Sequence, residues 1–177
     1  MVNRISQKHS KNLYEERREV DAEVLIASQM PRRAVMAGLV TLLAGNALWL
    51  ALSLITGKVY PWFSVLQGIA IGLFTRRWGQ GFDWRFPTIA AVIALVGAYS
   101  GSFLIAAEVA ARDLDTNIFA VLFNVTGWSL GTWLDEVITP ADHIFAAYAA
   151  ILAAFFARRR LDRSEVFALR TMNERKT

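Results

Sequence analysis

Glu108, Asp142 and His143 are the residues of this chain whose types suit a divalent cation or a relayed proton. Carboxylate oxygens and an imidazole nitrogen ligate such ions and serve general acid–base chemistry. Glu108 closes one apolar run and Asp142 opens the next, so the two can meet at similar depth. One histidine among scattered carboxylates gives no metal-ligand spacing, however, and the simpler reading is an acidic loop surface without a metal. An enzyme at that surface would need the three side chains within hydrogen-bond reach of one another. The chain has no cysteine, which removes disulfides, thiolate metal sites and cysteine nucleophiles together. The nucleophile elbow, phosphate loop, zincin helix and dinucleotide fingerprint are also missing, so neither catalysis nor a bound cofactor is expected.

Asn46, Gln67, Tyr99 and Tyr148 are the sizeable polar side chains inside the apolar runs. They are candidates to line a pore in an oligomer, but bonds between helices are the simpler role for an amide or phenol in hydrocarbon. No charged residue is expected deep inside a run, whereas ion-coupled transport usually leaves one there.

Four runs must position these groups: 34–57, 59–75, 86–107 and 140–157. At 177 residues, 55% hydrophobic, the chain is too apolar for an ordinary soluble domain. Seventeen of its nineteen Lys and Arg residues fall in three alternate segments between and around the runs; the other two segments hold only Lys58 and Arg112. This is the positive-inside alternation of a four-span protein with both termini in the cytoplasm of a bacterial inner membrane. The bases cluster at the ends of apolar runs, where they suit lipid head groups rather than nucleic acid.

The expected architecture is therefore all-α: a charged cytoplasmic helix within 1–33, a four-helix transmembrane domain over 34–158, and a basic tail over 159–177. Leu13, Val20, Val24 and Ala27 form a narrow apolar stripe on the first helix, which reads as a solvated lead-in resting on the bilayer, with a docking helix for a partner or sister subunit as the sharper alternative. Pro61 suits the first position of the short second span. Gly68 and Gly72 there, with Gly97 and Gly101 in the third span, predict close backbone approach between those two spans. Gly79 lies in what reads as a tolerant inner loop. The nearly uncharged stretch within 113–139 reads as an amphipathic or re-entrant outer insert, because a fifth span would carry Arg158, Arg159 and Arg160 outside. Thr139-Pro140-Ala141-Asp142 has the composition of a helix start.

From Pro61 onward the order of features resembles a known group. A short glycine-bearing span, Pro61-Trp62-Phe63 to Gly72, is followed by the loop Arg77-Trp78-Gly79-Gln80-Gly81-Phe82-Asp83. Arg85-Phe86 then opens a Gly/Ala-rich span, and Thr139-Pro140-Ala141-Asp142-His143-Ile144-Phe145 opens the last. The pattern is similar to that of small uncharacterised bacterial four-span membrane proteins, some of which carry an N-terminal zinc ribbon. A cysteine-free chain has no such ribbon, and a charged helix stands in its place. The resemblance implies the four-span topology and no activity. The function expected on all these grounds is non-catalytic, an accessory or assembly subunit of a larger membrane complex. A small oligomeric transporter or channel is the alternative, and an enzyme at the outer interface the third reading. The partners implied are the lipid bilayer and either another protein or further copies of the chain.

Overall fold

The computed structural model describes residues 22–124 and 138–174, and the described residues are helical, joined by turns. In chain order the helices are α1 (Ala22–Ala27), α2 (Pro31–Thr56), α3 (Phe63–Gly79), α4 (Arg85–Asp113), α5 (Ile118–Asn124), α6 (Pro140–Ala157) and α7 (Arg163–Glu174). They divide into two compact units, Met30–Arg158 and a terminal unit of Met1–Gln29 with Arg159–Thr177.

In the larger unit α3 and α4 touch across the middle, α2 packs on both of them, and so does α6. The helix ends follow from local chemistry. Pro31 opens α2, where its missing N–H is no loss, and Gly57 closes it in the left-handed region, its N–H donating to the Ser53 carbonyl at 2.8 Å. Pro87 falls in the first turn of α4, where a proline is tolerated. At α6 the Thr139 hydroxyl accepts the Asp142 N–H at 3.4 Å, and Asp142 Oδ2 accepts the Thr139 N–H at 2.9 Å. That reciprocal pair is a capping box, with Pro140 at the first helical position as the sequence indicated.

Three helices, α2, α4 and α6, are long and apolar enough to cross a membrane. Their outward faces carry Leu43, Ile55, Val92, Val96, Ile151 and Phe155, all exposed, which is the surface of a membrane protein. Helix α3 is shorter, at 17 residues and roughly 26 Å. It begins four residues beyond the expected start. Pro61 lies in a turn ahead of the helix, closed by the Phe63 N–H on the Tyr60 carbonyl at 3.0 Å, rather than at its first position. The far end runs past Arg76 and Arg77 to Gly79, because basic side chains suit the negative end of a helix and give it no reason to stop.

Of the stretch 113–139, expected as an outer insert, α5 is described and 125–137 lies outside the described residues. Val121 of α5 is buried with Ala107 and Ala111 of α4, while Phe119 and Phe123 on its other side are exposed. In the terminal unit α1 packs on α7. The start of α7 is fixed by Glu165, which accepts the Asp162 N–H at 2.9 Å and pairs with Arg159 at 2.7 Å. Leu13 and Val20 lie outside the described residues. Val24 and Ala27 are exposed, and Ala22 and Leu25 form the buried side of α1.

Candidate functional site

The buried face of α2 is Ala34, Gly38, Leu42, Asn46, Trp49 and Ser53, a stripe at spacings of four and three. Two polar centres hang on it. The first sits at mid-helix. Gln67 of α3 donates through Nε2 to Asn46 Oδ1 at 2.8 Å and to the Leu42 carbonyl at 3.0 Å. Asn46 Nδ2 donates in turn to Ser100 Oγ of α4 at 2.8 Å, and the Ser100 hydroxyl donates to the Gly97 carbonyl at 3.2 Å. One relay thus ties three helices, with Asn46 and Gln67 both buried. Gln67 Oε1 has no hydrogen-bond partner there.

Missing side chains make room for the amides. A Cβ on Gly45 would come within 2.9 Å of Gln67, and one on Gly97 within 3.2 Å of Gln67 Nε2. A Cβ on Gly101 would sit 2.6 Å from the Trp49 ring and 3.0 Å from Asn46 Oδ1. Gly97 and Gly101 therefore receive side chains of α2 and α3. Gly68 and Gly72 receive backbone instead: their added Cβ atoms would collide with the carbonyls of Ala149 and Ala153 of α6. The two glycine pairs do not face each other as expected. The alanine-lined α6 offers a backbone for glycine to approach, whereas α2 offers bulky side chains for glycine to accommodate. Gly79 is not a tolerant loop position either. It ends α3, its carbonyl accepts the Met30 N–H at 2.9 Å, and an added Cβ would meet Ala34 and Phe86 within 2.9 Å.

The second centre lies toward the far end of α2. Glu108, just past the 86–107 run and expected on an acidic loop surface, is only 1% exposed in α4. Its Oε2 accepts the Ser53 hydroxyl and Arg112 Nη2, each at 2.9 Å, and Arg112 Nε lies 2.8 Å from Oε1. Arg112, one turn further along, is 40% exposed and carries the positive charge out to the surface. The carboxylate is thus neutralised in place, as a buried ion must be.

Asp142 and His143 have other partners. Asp142 Oδ1 accepts the Ser102 hydroxyl at 2.9 Å while Oδ2 caps α6, and His143 Nδ1 shares a hydrogen bond with the Tyr99 hydroxyl at 2.9 Å. These contacts pin the start of α6 to α4. Glu108, Asp142 and His143 do not form one cluster, and no group of three or more His, Asp or Glu able to hold a metal occurs among the described residues. Tyr148, expected at depth in a helix contact, is exposed on α6.

Ser53 and Gly45 escaped the sequence reading, as did the pairing of Ser100 with Asn46 and of Arg112 with Glu108. Their signal was spacing: Ser53 is seven residues from Asn46 on one helical face, and Arg112 is four from Glu108. Apart from Gln67 Oε1, the groups of the two centres bond to one another, and neither centre sets a nucleophile against a base. What they do chemically is join helices. The chain matches no protein-family model, no curated protein and no solved structure.

Proposed function

We infer that the protein is a non-catalytic integral membrane subunit, an accessory or assembly component of a larger complex in a bacterial inner membrane. In this reading α3 is a fourth, short span, its deficit covered by snorkelling of Arg76 and Arg77. Both termini then lie in the cytoplasm, and α5 opens an outer interfacial insert. The topology is that of the small bacterial four-span proteins that the sequence resembles.

One observation carries the role. The terminal unit, charged along most of its length, leaves Val24, Ile26, Val166 and Phe167 exposed on helices flanking the membrane domain in sequence. Apolar side chains in a charged, water-facing setting suit a protein contact. The transporter or channel reading draws less support, because Asn46 and Gln67 bond to each other inside the bundle rather than facing an aqueous path. An outer-interface enzyme draws least, since its three candidate residues serve separate contacts.

The test is native mass spectrometry of the full chain gently extracted from its own membrane, beside the variant Val24→Glu/Phe167→Glu. A stoichiometric unlike partner, lost in the variant, is the expected result. A homo-oligomer indifferent to the substitutions would overturn the accessory reading in favour of a channel or transporter.

A further inference from the structure

An open groove of ≈ 590 Å³ runs between α2 and α3 at the end of the bundle where Arg32 and Arg33 begin α2. That volume is within the range of sites that hold small molecules. One wall is the Met36 and Val40 ridge of α2, and the other is Phe74 and Trp78 of α3. Each pair is four residues apart, so its side chains stack along one helix face. Between them the floor of α2 is small. Its one hydroxyl, on Thr41, donates to the Ala37 carbonyl at 2.7 Å and leaves a methyl surface.

Polarity is confined to the mouth. Arg32 and Arg33 are exposed there, and Arg76 and Arg77 lie at the same end of α3. From Arg33 to Ala44 the groove follows about 16 Å of helix, close to half of a roughly 30 Å hydrocarbon core. A hollow one leaflet deep, dry along its length and doubly cationic at its rim, has the dimensions and charge of a bilayer lipid.

We propose that this groove is a binding site for an anionic phospholipid, with the phosphate held by Arg32 and Arg33 and one acyl chain lying between the Met36–Val40 and Phe74–Trp78 walls. Arginine suits the headgroup because its planar fork can grip two phosphate oxygens at once, and Trp78 is of a type favoured at the headgroup level. The proposal rests on α2 lying in a bilayer and is independent of the accessory-subunit role.

The full chain in mild detergent would be titrated with phosphatidylglycerol or phosphatidylcholine of matched acyl chains, and bound lipid counted by native mass spectrometry. Two cationic contacts at the rim should favour phosphatidylglycerol by about tenfold or more. Arg32→Gln/Arg33→Gln, on exposed side chains, should abolish that preference while leaving weak binding of both lipids. Ala44→Phe, which fills the floor, should reduce retention of both. A supporting second measurement is quenching of Trp78 by phosphatidylglycerol brominated on its acyl chain, taken as the difference from Trp78→Phe. Equal retention of the two lipids by the unaltered chain, or a preference that survives the arginine substitutions, would overturn the proposal. So would an oligomer that Ala44→Phe dissociates without changing the lipid count, since a second copy would then occupy the groove.

Discussion

Asn46 is the residue on which the interior depends most, because it is the middle of a relay. It accepts from Gln67 and donates to Ser100. Asn46→Ala removes both bonds and leaves buried Gln67 and half-buried Ser100 with one bond fewer each, so a loss of about 2 kcal/mol is expected. Gln67→Leu also breaks the relay but removes the orphaned Oε1 with it, and should cost about 1 kcal/mol or less. Reversible unfolding of the detergent-solubilised protein measures both, and a greater loss for Gln67→Leu would contradict the assignment. Glu108 follows the end of the 86–107 run, where the sequence predicts an acidic loop surface, and its side chain is nonetheless buried between helices. A one-dimensional hydropathy pattern locates the end of a run, whereas the depth of Glu108 is set by Ser53, 55 residues away in sequence. That partner is invisible until the helices are docked.

At the scale of elements, helix existence was legible and helix partnership was not. The proline, glycine and threonine punctuation at Pro31, Gly57 and Thr139 marks real ends, because caps act within a few residues and so are written locally. Glycine pairs say that something approaches closely without saying what. Gly68 and Gly72 took the backbone of α6, and Gly97 and Gly101 took the side chains of α2 and α3. The distinction predicts unequal tolerance of the smallest possible change. Gly68→Ala sets a methyl against the Ala149 carbonyl, which is fixed within a helix, and should lower stability by about 2 kcal/mol. Gly45→Ala sets the same methyl against the flexible stem of Gln67 and should be milder by at least half. Apparent melting temperature and monodispersity in one detergent compare them directly, and equal effects would show that the α3–α6 contact yields.

For the whole molecule, topology turns on α3, whose 17 residues lie between exposed Lys58 and exposed Arg85. The chain has no cysteine to interfere, so Lys58→Cys and Arg85→Cys each report one site. A membrane-impermeant maleimide applied to intact spheroplasts should label Lys58→Cys and reach Arg85→Cys only after lysis. Equal labelling of both would place the two turns on one side, and α3 would then lie in the bundle without crossing. Charge alternation is what predicts that topology, since it depends on where arginines stand along the chain and not on any contact. The capping box of α6 bears on how the molecule is made. Helix α6 is the last of the bundle to leave the ribosome, and its neighbours α3 and α4 have already emerged. Thr139 and Asp142 satisfy one another within a single turn, so α6 needs no earlier helix to complete its start. It can enter the bilayer as a finished rod and seek its place afterwards, and the Ser102 bond to Asp142 becomes a latch that records its arrival.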